Sequence, residues 1–312
     1  MVFNLIVIVA PVFLMLACGY FSARSGLMSN DAINGLMRFA QGFAIPCLLF
    51  KAVMGLDLHG VFEPKLLIAF YTGSISCFVL AIVIARTLFK RRPGEAVVFG
   101  FGALYSNAVL LGLPISERAF GSGALAANYA IISIHALVCY LLGVLVMEFS
   151  RADGKPLTET LRDAFISLAK NPLMIGILLG FVANFSGLEL WSPVQAWLDM
   201  AVSTALPVAL FGLGAVLTRY QLSGHMKEPL LVVTLSLIVH PTITWVLCSQ
   251  VFELSIEFTR AAVVTAAMAP GINVYLFAHM YQRAEDVAAN AVLIGTVLSV
   301  FTASAWLLVL GV

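Results

Sequence analysis

Apolar runs of about twenty residues, separated by short charged or Gly/Pro-rich breaks, recur along the whole chain. An α-helix needs roughly 20 such residues to cross the hydrocarbon core of a bilayer. The pattern predicts ten spans, at about 2–22, 33–53, 66–88, 96–118, 124–149, 171–188, 194–217, 229–250, 259–281 and 288–310. Most linkers are short, as at 25–31 and 89–95. The longer, polar connection Ser150–Ala169 has charged and apolar residues at helical spacing after Pro156, which predicts a short amphipathic surface helix leading into the sixth span. The chain therefore divides into a first five-span half (1–150), a linker (151–170) and a second five-span half (171–312). An odd number of spans per half means that the second half enters from the opposite face, as an inverted repeat. One internal match supports duplication: Ala44-Ile45-Pro46-Cys47-Leu48-Leu49-Phe50 in span two and Ala205-Leu206-Pro207-Val208-Ala209-Leu210-Phe211 in span seven.

Two spans carry interruptions at equivalent places in the two halves. Span four contains Asn107, then Gly112 and Pro114, with Glu117 and Arg118 beyond; span nine contains Pro270, Gly271 and Asn273. Proline removes a backbone donor and clashes with the preceding turn, and in lipid the freed groups survive only where protein or a water-filled cavity satisfies them. Gly112 with Pro114, and Pro270 with Gly271, are thus expected to break their helices. A pair of broken helices in corresponding positions of two halves is the pattern of a transporter's binding site.

Composition agrees with a polytopic all-α membrane protein: 61% of residues are hydrophobic, 11% are charged, and the mean hydropathy is +1.01. A formal net charge of +1 gives no basic face for nucleic acid. Thirteen of the seventeen lysines and arginines fall in odd-numbered loops and their flanks, including Lys90, Arg91, Arg92 and Arg283. The positive-inside rule then places the linker in the cytoplasm and both termini outside. The five cysteines lie in apolar segments without C-x-x-C spacing and read as small buried hydrophobes, not disulfides or metal ligands.

No H-E-x-x-H, P-loop or G-x-S-x-G pattern is present, so an enzyme is not expected, nor a cofactor. Asn107 and Asn273 are the leading substrate-binding candidates. Their amides offer donors and an acceptor, and the N–H groups opening the next half-helix favour an anion. The competing reading is that each only bonds neighbouring helices. Tyr105, Ser106 and Tyr275 flank these residues and are candidate cavity-lining groups; they are also common packing residues. His135, one turn from Cys139 and Tyr140, is a candidate proton relay or substrate contact, or a neutral histidine bonded to a carbonyl. His240, before Pro241, has the same two readings. No cluster of embedded carboxylates suggests a sodium or proton site, so coupling to either ion stays open.

The runs Asn107–Pro114 (NAVLLGLP), Leu168–Leu173 (LAKNPL) and Pro270–Tyr281 (PGINVYLFAHMY) resemble the auxin efflux carrier family, over essentially the whole chain. That family includes plant PIN-type auxin exporters and bacterial malonate-type carriers. The resemblance implies two inverted five-helix repeats with spans four and nine crossing at the binding site. It implies a scaffold of spans one, two, six and seven, often dimeric, and a transport domain of the remainder in an elevator-type mechanism. Asn107, Pro114 and Gly271 match family positions. Pro270 matches less closely, because plant carriers place a further proline where Val274 stands, and His135 falls where plant members have a polar amide. The short linker looks bacterial. The expected function is a secondary transporter of the inner membrane moving a small organic anion: a malonate-like dicarboxylate, another short carboxylate, or an auxin-like aromatic monocarboxylate. A channel, a non-transporting receptor and, last, an intramembrane enzyme are the other classes. Expected partners are the carboxylate, membrane lipids and a homodimer through the scaffold helices, with no nucleic acid.

Overall fold

The computed structural model describes residues 2–150, 162, 165–166, 169–220 and 226–312. The amphipathic helix expected after Pro156 falls outside the described residues. Among the described residues the chain is helical and has no strand beyond one isolated bridge. The helices are α1 (Val2–Arg24), α2 (Asn30–Met54), α3 (Pro64–Thr87), α4 (Pro93–Leu104), α5 (Leu113–Phe120) and α6 (Ala126–Ser150). After the linker come α7 (Pro172–Phe185), α8 (Ser192–Leu217), α9 (Lys227–Val251), α10 (Ile256–Ala266), α11 (Ile272–Tyr281) and α12 (Glu285–Val309). Seven helical stretches are long and apolar enough to cross a membrane, and α4 and α7 are shorter apolar helices. This is the make-up of a multi-pass membrane protein.

The helices gather into two compact units, each drawing on both halves of the sequence. The first comprises Met1–Val9, Phe62–Ala164 and Tyr220–Val312, hence α3–α6 and α9–α12; the second comprises Ala10–Val61 and Phe165–Arg219, hence most of α1 with α2, α7 and α8.

In the second unit, small residues let backbones touch, as membrane helices do when no water drives them together. A Cβ on Gly19 of α1 would collide with the Phe211 carbonyl of α8, and one on Gly214 of α8 with the Leu16 carbonyl of α1. At the end of α2, Asn184 Nδ2 donates to the Val53, Met54 and Leu56 carbonyls at 3.1, 2.8 and 2.8 Å. Lys51 pairs with Asp199.

The first unit packs α3, α6, α9 and α10 around a core that includes Leu66, Phe70, Tyr71, Ile131 and Ala262. At one end Arg91 grips Glu228 through two hydrogen bonds, 2.8 and 2.6 Å, so the α3–α4 loop is tied to the start of α9. Donating to Glu228 raises the Arg91 pKa further, and the guanidinium stays charged at any ordinary pH.

Three prolines inside helices share one device, whereas Pro11 and Pro207 sit in uninterrupted α-helices. Five-residue π-turns precede Pro46, Pro114 and Pro241, at Ala40–Ala44, Ala108–Gly112 and Leu235–Val239. In each, the residue just before proline donates to the carbonyl five back: Ile45 to Ala40, Leu113 to Ala108, His240 to Leu235. The wider register makes room for the ring where an α-turn would clash. Two carbonyls that lose their usual donor are served from elsewhere in the first unit. Trp306 Nε1 donates to Leu237, four residues before Pro241, at 3.0 Å. The Arg118 guanidinium donates to Val7, four before Pro11, and to Ile8, at 2.7 and 2.9 Å.

Candidate functional site

The interruption in span four does not lie at Gly112 and Pro114, where the sequence pattern places it. It lies upstream at Tyr105, Ser106 and Asn107, between α4 and the π-turn leading into α5. Pro114 sits within the resumed helix because the π-turn absorbs it. In span nine the chain leaves α10 at Ala267 and resumes at Gly271, so Pro270 and Gly271 do lie in the non-helical segment.

The two non-helical segments pair with each other. Asn107 N–H donates to the Ala269 carbonyl at 2.8 Å, Gly271 N–H donates to the Tyr105 carbonyl at 3.3 Å, and Ser106 opposes Pro270 in an antiparallel bridge. The exchange satisfies backbone groups that a broken helix would leave bare in an apolar interior. It also faces the start of one half-helix toward the start of another. Asn107 caps the first: its Oδ1 accepts from Leu110 N–H at 3.3 Å, and its carbonyl accepts from Leu111 and Gly112 at 3.2 and 3.1 Å. Gly271 opens the second in extended backbone, φ −77° and ψ 165°.

Side chains of both segments meet here. Asn273 Nδ2 donates to the Tyr105 hydroxyl at 3.0 Å. The Tyr105 ring lies 4.9 Å from His135, 5.4 Å from Phe101 and 5.8 Å from Tyr140, centroid to centroid. Ser106 is buried with an unpartnered hydroxyl. Asn107, Asn273, Tyr105, Ser106 and His135 are therefore brought together. Tyr275 is not among them: its ring faces Tyr220 at 5.0 Å and stacks on His279 at 6.0 Å. His240 lies deeper, across the Phe70 ring from His135.

Three contributors escape a reading of the sequence. Asn128 Nδ2 reaches Ser116 Oγ, Thr265 Oγ1 and the Ala261 carbonyl, at 3.1, 2.9 and 3.4 Å, tying α5, α6 and α10 together. Ser236, in the π-turn of α9, donates to the Met268 carbonyl at 3.3 Å. Gly295 of α12 makes room for Pro270, whose Cδ would lie 2.8 Å from a Cβ there. Only the buried asparagine carried a signal, as a polar residue inside an apolar run. Among the described residues no group of three or more histidine, cysteine or acidic side chains could hold a metal ion.

Two helix starts bring partial positive charge to the crossing, and neither 93–117 nor 261–281 contains lysine or arginine. The chain is 25% identical over 296 residues to a protein of Rhizobium meliloti named "Putative malonate transporter", covering 95% of this chain and 92% of that one. It is 24% identical to the lysosomal cholesterol signaling protein of Mus musculus over 93% of this chain but only 36% of that longer protein. It is 19% identical to auxin efflux carrier component 8 of Arabidopsis thaliana, over 98% of this chain and 97% of the relative. The profile of the family described as membrane transport protein matches residues 4–307. The chain is a transporter rather than an enzyme, and it belongs to the membrane transport protein family that includes the auxin efflux carriers.

Proposed function

We propose that the protein is a secondary carrier that moves a small organic carboxylate, malonate-like in size, across a bacterial inner membrane by alternating access. The observation that carries this reading is the paired crossing, where the starts of two half-helices, capped by Asn107 and Gly271, meet beside the Asn273–Tyr105 hydrogen bond. Two N-termini supply partial positive charge where no cation stands, which suits one carboxylate and leaves amide donors to read its oxygens. The relative named for malonate supports the choice of a short acid, and the plant relative keeps an aromatic monocarboxylate as the alternative cargo.

Ten spans in two inverted repeats, both termini outside, complete the reading. Helices occupy each of the ten segments the apolar pattern marks, and each unit takes members of the same ordinal places from both halves. In an elevator-type cycle the first unit, which holds the crossing, is the moving part. The second is the scaffold and the expected homodimer surface.

Uptake of labelled malonate into proteoliposomes tests the reading, with thermal shifts against other short carboxylates and indole-3-acetate. Saturable uptake and a saturable shift are expected. A cooperatively melting protein that no carboxylate stabilises would overturn the anion assignment. A receptor is the second reading, favoured by the longer mouse relative named for signalling. Binding of a carboxylate without any flux would select it.

A further inference from the structure

The buried histidines form a layout that carrier function alone does not require. Phe70 of α3 lies between them, its ring centroid 5.6 Å from His135 on α6 and 5.1 Å from His240 on α9. His135 is the nearer to the crossing: its ring is 4.9 Å from Tyr105 and its Nδ1 is 3.6 Å from Cys139 Sγ. His240 is fully buried, 0% exposed, and neither ring nitrogen has a hydrogen-bond partner. One turn on, Thr244 Oγ1 is also buried and unpartnered. Both face the same bare spot on α3, where a Cβ on Gly73 would stand 3.0 Å from His240 Cδ2 and 2.6 Å from Thr244 Oγ1.

A histidine kept for packing would be bonded, since burying an unpaired polar group costs free energy that leucine or phenylalanine avoids. Ionisable groups inside membrane helices otherwise mark pathways and proton relays. We propose that His240 is a proton-binding site, reached from the crossing past His135 and Phe70, that couples proton uptake to carboxylate binding. This inference rests on the carboxylate reading of the crossing.

The surroundings explain why the coupling would be tight. The titratable groups in contact with the His135 ring are Tyr71, Tyr105 and Cys139, and Cys77, Tyr140 and Cys248 lie on α3, α6 and α9. These are neutral acids. Among the described residues no carboxylate acts on either ring, and the one basic group acting on His240 is His135, which opposes a second positive charge beside it, so only one of the two rings carries the proton. The charges of α10, Glu257 and Arg260, sit near its start, with Arg260 held by the Leu310 carbonyl. Those of α12, Glu285 and Asp286, sit in its first turn. An imidazolium at His240 thus has no counter-charge of its own. The aromatic ring beside it tolerates a positive charge, and the neighbouring hydroxyl can accept its hydrogen. An anion at the crossing supplies the missing counter-charge. The carboxylate therefore favours the protonated ring, and by reciprocity the protonated ring favours the carboxylate. In the cycle, an imidazole nitrogen takes a proton from one compartment as the anion binds and returns it to the other as the anion leaves.

The test uses the purified full chain and malonate as probe, with titration calorimetry between pH 6 and 8 and a pH dye in weak buffer. Wild type is expected to take up about one proton per malonate beyond the malonate's own share, with affinity rising up to about tenfold per pH unit as pH falls. His240→Gln is expected to match wild type at pH 8 within about twofold, lose the extra proton, and respond to pH only as malonate's second carboxyl does. Proton uptake identical in wild type and His240→Gln would assign the proton to malonate and overturn the proposal. Should His240→Gln fail to melt cooperatively, Thr244→Val serves: losing the hydroxyl lowers the pH midpoint of affinity, and an unmoved midpoint counts against the site. Malonate binding without extra proton uptake sinks this inference alone. Failure of wild type to bind any short carboxylate sinks the anion reading and this inference with it.

Discussion

The two units differ in what they bury. All sixteen buried polar or charged residues among the described ones, from Ser74 to Ser299, lie in the first unit, and none lies in the second. The second unit closes through glycine contacts between α1 and α8 and keeps its charges, such as Lys51 and Asp199, partly exposed. Polar burial inside a membrane protein is expensive unless each group is bonded. Concentrating it in one unit is therefore a division of labour: volume complementarity holds one unit together, and the other accepts polar interior groups where the site needs them.

That contrast can be broken at its strongest point. Asn107→Ala removes an amide at the crossing and a cap on the following turn. Uptake of malonate is expected to fall at least ~100-fold, about 2.7 kcal/mol in transition-state terms, against a stability loss of only about 1 kcal/mol for the cap. Wild-type uptake by monodisperse mutant would remove Asn107 from the site.

In the second unit the sensitive quantity should be volume instead. Gly214→Ala puts a methyl into the Leu16 carbonyl and forces α1 from α8; overpacking of this kind costs about 1–3 kcal/mol. The thermal midpoint is expected to drop, and an unchanged melt would mean the two backbones do not touch. In the first unit, Trp306→Phe keeps the ring but strips the donor from the Leu237 carbonyl. Leaving that carbonyl bare should cost about 1–2 kcal/mol, again read from the melt, with malonate affinity unmoved because Trp306 lies away from the crossing.

The helices were legible in the sequence because twenty-residue apolar runs leave few alternatives. The break in span nine was legible too, since Pro270-Gly271 is a local instruction. The break in span four was not. Tyr105-Ser106-Asn107 contains no helix breaker, and its extended form is held by pairing with a segment more than 160 residues away. Pro114 misled for the complementary reason: a π-turn accommodates it, and nothing in NAVLLGLP distinguishes that turn from a kink. The role of Phe70 between the two histidines depends on three helices meeting, which no spacing along one helix encodes. Tyr275 shows the opposite limit, because residues two apart on a helix do not share a face, and Asn273 takes the crossing side.

The smallest expected effect separates motif from mechanism. Gly271 looks indispensable by position, yet its φ of −77° is open to any residue. A Cβ there would meet Asn107 Cα and Cβ at 3.7 Å, ordinary contact. Gly271→Ala is therefore expected to change stability by less than about 0.5 kcal/mol and to leave malonate affinity within about threefold. Gly295→Ala, one helix away, meets Pro270 Cδ at 2.8 Å and should be the more damaging of the pair. If the order is reversed, the space beside Asn107 that the missing side chain leaves is itself part of the substrate pocket, and the carboxylate sits against Gly271 rather than against the Asn273–Tyr105 pair.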